Sequence, residues 1–217
     1  MTCYVALDGP DGCGKSTQAM ALVAWLEAEG ADVLHVREPG STPVGEALRE
    51  LLLSPQTGEL RGLTEVLLFS AARAELIERV VAPARASNKL VIAERCFLST
   101  AVYQLLASDP AGGGAAAAVR GKGESLAWFE DLTRRVHGAC LPDAVFVLDV
   151  PPHVARSRRQ RRSDEDRIEA RGDAYHERVR NGFLQLAERE PRAHVVDASR
   201  TFEQVQGELQ ERMRRFW

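Results

Sequence analysis

Residues 9–16 read Gly-Pro-Asp-Gly-Cys-Gly-Lys-Ser and match the pattern G-x-x-x-x-G-K-[ST]. The apolar run 5–7 precedes this stretch and a helical pattern follows from Ser16, so the motif lies between a strand and a helix. Glycines let successive backbone N–H groups turn towards phosphate oxygens, and the start of the helix adds the positive end of its dipole. Lys15 is expected to reach the β- and γ-phosphates, and Ser16 to offer its hydroxyl to Mg²⁺. The stretch, called the P-loop below, therefore predicts a binding site for Mg-ATP. The predicted ATP-binding residues are Gly9, Pro10, Asp11, Gly12, Cys13, Gly14, Lys15, Ser16 and Thr17.

Strands and helices are predicted to alternate along the rest of the chain. Short apolar runs predict four further strands, at 33–36, 90–93, 144–148 and 194–196. Helical patterns are found at 16–29, 43–53, 63–82, 98–106 and 201–216, and from residue 154 onward. Such alternation is typical of a parallel sheet with helices on both faces. We therefore predict an α/β protein with the P-loop NTPase fold, in which helices flank a five-stranded parallel sheet on both faces.

Two segments depart from this alternation. Residues 108–123 are rich in Gly and Ala and predict a loop or an insertion. Residues 156–171 are dense in charge and poor in apolar side chains, so this segment is either solvated or closes over something charged. The length of 217 residues fits one domain, residues 1–217, with a small mobile part.

Composition restricts the class of protein. The formal net charge of −3 does not indicate a basic groove for long nucleic acids. The four cysteines form no C-x-x-C pair, which favours free thiols in a reducing cytosol. The N-terminus does not match a secretory signal, and no apolar run approaches the ~20 residues of a membrane helix. We therefore expect a cytoplasmic protein whose partners are small molecules, with no nucleic acid and no membrane.

Four further segments resemble the thymidylate kinase family, whose members phosphorylate dTMP to dTDP with ATP. They are Arg37-Glu38-Pro39-Gly40, residues 67–73, residues 94–104 and Asp166-Arg167-Ile168-Glu169. Together with the P-loop they cover nearly the whole chain, in the family's order and at similar spacing. The resemblance implies a phosphotransferase of dTTP biosynthesis that uses ATP, dTMP and Mg²⁺, and that forms a homodimer.

The resemblance also implies roles for residues around the end of the third predicted strand. Arg95 follows that strand, where ligands bind in an open parallel sheet, and is expected to bridge the acceptor phosphate and the transferring group. Glu94 is expected to hold Mg²⁺ through water. Phe69 and Arg73 share a helix face, so Phe69 can stack on the base while Arg73 donates to a carbonyl oxygen such as thymine O4. Asp11 is expected near the acceptor 3′-hydroxyl.

Further contacts to the acceptor are implied in the same way. Thr100 and Gln104 resemble the positions that hydrogen-bond the pyrimidine edge. Tyr103 resembles the residue packed under the deoxyribose, where it leaves no space for a 2′-hydroxyl. Glu38 and Arg49 resemble positions near the acceptor's sugar and phosphate.

The charged segment 156–171 resembles the family's lid. In bacterial members whose P-loop lacks an arginine, a lid arginine supplies positive charge at the transferred phosphoryl group, and here Gly12 occupies the P-loop position. The leading candidates for this catalytic role are Arg158, Arg162 and Arg167, and the sequence does not decide between them.

Two departures from the family pattern keep other functions open. Glu94-Arg95-Cys96 stands where the family usually has Asp-Arg and then an aromatic residue or His, and the insertion 108–123 replaces a shorter turn. Because Glu-Arg also occurs in deoxynucleoside kinases, such a kinase is the first alternative, with Glu38 as the base that activates a 5′-hydroxyl. A kinase for another pyrimidine deoxynucleotide is a further possibility. A P-loop ATPase switch that acts through a partner protein is the alternative from another class.

Overall fold

The computed structural model describes residues 2–107, 122–160, 168 and 172–217. Five parallel strands form one sheet in the order β2-β3-β1-β4-β5. The strands are β1 (Tyr4–Asp8), β2 (Val33–Arg37), β3 (Leu90–Glu94), β4 (Ala144–Asp149) and β5 (Ala193–Asp197). The predicted five-stranded parallel sheet is therefore confirmed, and each predicted strand lies within one of the observed strands.

Nine α-helices pack around the sheet in the described parts of the chain. They are α1 (Lys15–Ala28), α2 (Pro43–Leu53), α3 (Gly62–Leu76), α4 (Ala82–Ala86), α5 (Phe97–Thr100), α6 (Lys122–His137), α7 (Pro152–Arg159), α8 (Asp173–Ala187) and α9 (Phe202–Met213). A π-helical stretch at Ile77–Val81 joins α3 to α4, and another at Ala101–Leu106 continues α5. Thr201 caps α9, because its side chain accepts from the backbone N–H of Gln204.

Several sequence predictions need correction or fall outside the described residues. Helices α6 and α8 were not predicted, and α6 begins at Lys122, two residues inside the loop predicted at 108–123. Residues 108–121 of that loop lie outside the described residues, as do 161–167 and 169–171 of the predicted lid. None of the described helices is both long and apolar enough to cross a bilayer.

The central strand β1 explains why the sheet is covered on both faces. All five of its residues are buried, and successive side chains point to opposite faces. Tyr4 and Ala6 pack with Phe97 and Phe183, whereas Val5 and Leu7 pack with residues of α1 and α9. Burying one large apolar side chain contributes roughly 1.5–3 kcal/mol, so the two layers together hold the strand in place.

The strand order places the crevice for ligands beside β1 and β3. From β1 the chain runs to β2 at one edge, and from β3 it crosses to β4 and β5 on the other side. In open parallel sheets, ligands bind outside the carboxyl ends of the strands where the order reverses. Here the P-loop follows β1, and Arg95 follows β3.

Candidate active site

The P-loop is shaped by glycines that no other residue can replace. Gly9 and Gly12 have positive φ angles of 136° and 84°. A Cβ atom on Gly9 would lie 2.5 Å from the carbonyl oxygen of Leu148, and one on Gly12 would lie 2.5 Å from that of Ala155. Strand β4 and helix α7 therefore press directly against the loop. A side chain at position 12 would therefore collide with the Ala155 carbonyl oxygen in this structure.

Lys15 begins α1 and folds back across the P-loop. Its Nζ donates to the carbonyl oxygens of Gly9 at 2.9 Å and Pro10 at 3.0 Å. The side chain is nearly buried, at 8% exposure. The ammonium group thus lies over the curled backbone that the sequence predicts as the phosphate cradle.

Ser16 and Glu94 form a pair of oxygen donors beside the P-loop. The Ser16 hydroxyl donates to Glu94 Oε2, and His35 Nε2 lies 3.1 Å from Glu94 Oε1. Partial burial acts to raise the pKa of Glu94, but the hydrogen bonds from His35 and Ser16 outweigh it and lower that pKa. Glu94 is therefore charged at neutral pH and faces the hydroxyl predicted to bind Mg²⁺.

Arg95 is held in a strained conformation between the two halves of the site. Its φ of 71° lies in the left-handed region, and its backbone N–H donates to Leu7 O at 2.8 Å. The Arg95 guanidinium donates to Ser99 Oγ at 3.0 Å and to Asp11 Oδ1. It also lies 5.4 Å from the centroid of the Tyr103 ring, within cation–π range. These contacts direct the positive charge of Arg95 into the crevice.

Asp11 links the P-loop to the other side of the crevice. Its Oδ2 accepts from the Tyr103 hydroxyl at 2.7 Å, while Oδ1 pairs with Arg95. Burial acts to raise the pKa of Asp11, but the charges of Arg95 and Lys15 hold it well below its usual range. Asp11 is therefore a carboxylate that joins the ATP-binding loop to two residues predicted to contact the acceptor.

Asp8 is a site residue that the sequence analysis did not identify. It is fully buried, and its Oδ1 accepts from Gly9 N at 2.9 Å and Ser99 Oγ at 2.6 Å. Its Oδ2 accepts from Cys96 N at 3.1 Å and Ser99 N at 3.0 Å. Asp8 thus ties the end of β1 to the segment that follows Arg95. The available signal was a charged residue at the end of an otherwise apolar strand.

The predicted base-binding residues are connected to one another by buried hydrogen bonds. Arg73 Nε donates to Glu38 Oε2 at 2.6 Å, and Nη2 donates to Thr100 Oγ1 at 3.1 Å and Cys96 O at 3.2 Å. Tyr4 donates to Glu38 Oε1 at 3.4 Å. Burial raises the pKa of Glu38, against the lowering effect of Arg73. The 2.6 Å contact between Arg73 Nε and Glu38 Oε2 makes Glu38 the ion-pair partner of Arg73.

A single cavity of about 360 Å³ is lined by both the P-loop and these side chains. Of the predicted site residues, it is lined by Asp11, Gly12, Gly14, Lys15, Ser16, Glu38, Arg49, Phe69, Arg73, Glu94, Arg95, Thr100, Tyr103 and Gln104. Lining residues that were not predicted are Arg37, Pro39, Leu53, Ser99 and Ile168. The remaining predicted ATP-binding residues, which lie outside the lining, are Gly9, Pro10, Cys13 and Thr17. Ile168, from the predicted lid, is 6% exposed and reaches this cavity.

The lid arginines are only partly described. Arg158 Nη1 donates to Ala198 O at 3.1 Å and Cys13 O at 3.4 Å, so it contacts the backbone of the P-loop rather than the cavity. Arg162 and Arg167 lie outside the described residues. Arg159, which was not predicted, is 7% exposed and donates to the Asp11 carbonyl oxygen at 3.2 Å. Helix α7 therefore anchors the P-loop through two arginines.

Comparisons with known proteins agree on one family. A family model described as "Thymidylate kinase" matches residues 7–209. The thymidylate kinase of Symbiobacterium thermophilum is 38% identical over 210 residues, which cover 96% of this chain and 91% of that protein. The thymidylate kinase of Cereibacter sphaeroides is 40% identical over 209 residues, which cover 94% of this chain and 90% of that protein. The crystal structure of thymidylate kinase from Ehrlichia chaffeensis superposes with a TM-score of 0.72 at 26% identity, and covers 98% of each chain.

Proposed function

Because this chain belongs to the thymidylate kinase family, we propose that it transfers the γ-phosphoryl group of ATP to dTMP in the cavity between the P-loop and Arg73. The chain is accordingly a phosphotransferase that forms dTDP. The observation that best supports this reaction at this place is the position of Arg95. It pairs with Asp11 of the P-loop on one side and lies against Tyr103 of the predicted acceptor pocket on the other.

The chemistry requires positioning and cancellation of charge more than proton transfer. The acceptor is a phosphate oxyanion, so no general base is needed to activate it. In the proposed arrangement Lys15 and the P-loop backbone neutralise the donor phosphates, and Arg95 contacts the acceptor phosphate and the group in transfer. The Arg95 guanidinium donates to Ser99 Oγ at 3.0 Å and forms an ion pair with Asp11. These two contacts fix the direction of the guanidinium before substrate binds.

The acceptor nucleoside is proposed to lie between Phe69 and Tyr103. Arg73 carries donors only, which suits thymine O4. Thr100 accepts from Arg73, so its hydroxyl position is fixed beside the base edge. Asp11 and Tyr103 are proposed to contact the deoxyribose. Glu38 and Arg49 complete the wall near the sugar and phosphate, where Arg49 Nη1 donates to Pro39 O at 3.1 Å.

A deoxynucleoside kinase is disfavoured by the contacts of Glu38. That reaction needs a carboxylate free to take a proton from a 5′-hydroxyl. Both oxygens of Glu38 are engaged, one by Arg73 at 2.6 Å and the other by Tyr4 at 3.4 Å. If Glu38 released Arg73 in order to act as the base, the buried Arg73 guanidinium would lose its ion-pair partner.

An assay of two acceptors separates these reactions. The protein is incubated with Mg-ATP and either dTMP or thymidine, and ADP release is followed. We expect turnover with dTMP and none above background with thymidine, because the positive charge of Arg95 is placed for a phosphate. Turnover with thymidine and not with dTMP would reject the proposed function in favour of a deoxynucleoside kinase.

We propose that Ser16 and Glu94 hold Mg²⁺, partly through water. A hydroxyl and a charged carboxylate are ligands that Mg²⁺ prefers, and Mg²⁺ in kinases is usually held by one or two protein oxygens together with substrate phosphates. When bound, the ion would neutralise charge on the phosphates of ATP.

Glu94→Gln tests the metal site. Gln preserves the shape of Glu94 but removes its charge, so we expect the Mg²⁺ concentration for half-maximal rate at fixed ATP to rise by about 10- to 100-fold. The measurement is the initial rate against Mg²⁺ concentration. Glu188→Gln, at the exposed end of α8, is the control and should leave that curve unchanged. An unshifted curve for Glu94→Gln would remove Glu94 from the proposed metal site.

We also propose that the protein is a cytoplasmic homodimer. The large side chains Val44 and Leu51 on α2 and Leu67 on α3 are 50%, 43% and 49% exposed. Val44 and Leu51 are seven residues apart and so share one helix face. Apolar groups of this size on neighbouring helices suit a contact with a second copy of the chain.

Leu67→Glu is expected to shift the protein from dimer to monomer, because the new carboxylate would be buried without a partner in the contact. Light scattering coupled to size-exclusion chromatography gives the mass directly. Met20→Glu on α1, where Met20 is 63% exposed, is the matched control and should leave the mass unchanged. A dimeric Leu67→Glu variant would show that the contact lies elsewhere.

For the lid, we propose that Arg162 or Arg167 supplies positive charge at the transferred phosphoryl group. Arg158 is the weaker candidate, because its described contacts are to backbone carbonyls behind the P-loop.

A further inference from the structure

Glu65 is a buried carboxylate next to the acceptor pocket that the proposed reaction does not use. It lies in the first turn of α3 and is 2% exposed. Its Oε2 accepts a hydrogen bond from Gln104 Nε2 at 3.2 Å. Gln104 is also 2% exposed and lines the cavity, whereas Glu65 is not among the lining residues. The pair therefore places a carboxylate behind a residue predicted to read the base.

The contact fixes which end of the Gln104 amide faces Glu65. A carboxylate has acceptors only, whereas a primary amide has a donor end and an acceptor end. With Nε2 bonded to Glu65, Oε1 is directed elsewhere. The opposite orientation would set Oε1 against the carboxylate oxygens of Glu65, and two buried acceptors in contact are costly. Glu65 thus removes one of the two orientations that a glutamine otherwise adopts.

Arg73 supplies the complementary group in the same cavity, and Thr100, to which it donates, lies four residues before Gln104. Its guanidinium is held by Glu38 at 2.6 Å and by Thr100 at 3.1 Å, and it carries no acceptor. The pocket therefore offers a fixed donor from Arg73 together with an acceptor from Gln104.

We propose that Glu65 is a positioning residue for base selection, which holds the Gln104 amide so that its oxygen, beside the Arg73 donor, accepts the N3–H of thymine. Thymine presents the O4 acceptor and the N3–H donor on this edge, which matches both groups. Cytosine presents an amino donor at C4 and an acceptor at N3. Its amino group would therefore face the Arg73 donor, and its N3 would face the Gln104 oxygen, so neither hydrogen bond could form. The inference rests on the proposed function and adds the residue that enforces the choice of base.

The test compares three acceptors in wild-type protein and in Glu65→Gln. A glutamine at position 65 offers both a donor and an acceptor, so Gln104 can pair with it in either orientation. We expect the ratio of kcat/KM for dTMP to that for dCMP to fall by about 10-fold or more, the size of one mismatched buried hydrogen bond. The ratio for dTMP to dUMP should stay unchanged, because uracil and thymine present the same O4 and N3–H edge.

The pattern of the two ratios separates positioning from general damage. An unchanged dTMP:dCMP ratio overturns the proposal, and so does an equal change in both ratios, which would indicate a merely structural role. Glu75→Gln is the matched control on the same helix, where Glu75 pairs with Arg79, and it should move neither ratio. Wild-type protein that does not phosphorylate dTMP would instead reject the proposed function itself.

A second variant covers the case in which Glu65→Gln is unstable. Gln104→Leu removes the amide, so the dTMP:dCMP ratio should fall by a similar factor, and an unchanged ratio overturns the proposal. In the Gln104→Leu background, Glu65→Gln should have no additional effect on the ratio. An additional fall would show that Glu65 acts on the base by another route, against the proposal.

Discussion

Arg95→Ala is expected to lower kcat for dTMP phosphorylation by about 10³-fold, as for other arginines that stabilise a transferring phosphoryl group. The Arg95 guanidinium lies between the P-loop and the acceptor pocket, held by Asp11, Ser99 and Tyr103. A loss of this size corresponds to about 4 kcal/mol of transition-state stabilisation. ATP affinity should persist, because Lys15 and the P-loop backbone are untouched.

The backbone makes this substitution a clean test of the side chain. Arg95 has a φ of 71°, and alanine meets the same steric strain there as arginine does. The measurements are steady-state kinetics with dTMP and calorimetric titration with ATP. Arg135→Ala is the control, since the Arg135 side chain is 76% exposed and pairs with Asp131 on the surface of α6. Near-normal kcat in Arg95→Ala would show that Arg95 does not contact the reacting groups.

Asp8→Asn is expected to lower the free energy of unfolding by about 1–3 kcal/mol, because at least one buried backbone N–H loses its acceptor and faces an NH₂ group. The Asp8 carboxylate accepts from Gly9 N, Cys96 N, Ser99 N and Ser99 Oγ, all between 2.6 and 3.1 Å. An asparagine keeps one oxygen, so at most one side of this set remains satisfied. The same loss should reduce turnover, since Ser99 also holds Arg95.

Urea unfolding of both proteins gives the difference directly. Asp32→Asn is the matched control, because the Asp32 side chain is 64% exposed and pairs with Lys89 on the surface. That change should cost no more than about 0.5 kcal/mol. A loss below about 1 kcal/mol for Asp8→Asn would mean that the buried donors find other acceptors.

Local patterns in the sequence predicted the sheet and the P-loop because each strand and the loop motif are encoded by a short run of residues. The P-loop motif lies within residues 9–16, and each apolar strand is five or six residues long. Helices α6 and α8 were missed because their apolar residues, such as Phe129, Val179 and Phe183, are spaced among many charged ones. Their narrow buried faces become evident only once the elements they pack against are in place, which are α3 and the stretch 101–106 for α6, and β4 and β5 for α8.

The contacts within the site were harder to predict because they join distant parts of the chain. Glu38 was expected near the acceptor's sugar and phosphate, but its buried contact with Arg73, 35 residues away, was not predicted. Asp8 was not identified at all, since its donors at Cys96 and Ser99 are 88 and 91 residues away. The sequence shows that Asp8 is a charged residue at the end of an apolar strand. Its hydrogen-bond donors become known only from the pairing of β1 with β3.

The three bonds of Asp11 have a consequence for how the two substrates influence each other. One residue of the P-loop contacts Arg95 and Tyr103 through its side chain and Arg159, at the root of the predicted lid, through its carbonyl oxygen. If filling either half of the crevice shifts this residue, these contacts would carry the shift to the other half and to α7. Such coupling is reciprocal for equilibrium binding: whatever factor dTMP contributes to the affinity for ATP, ATP contributes to the affinity for dTMP.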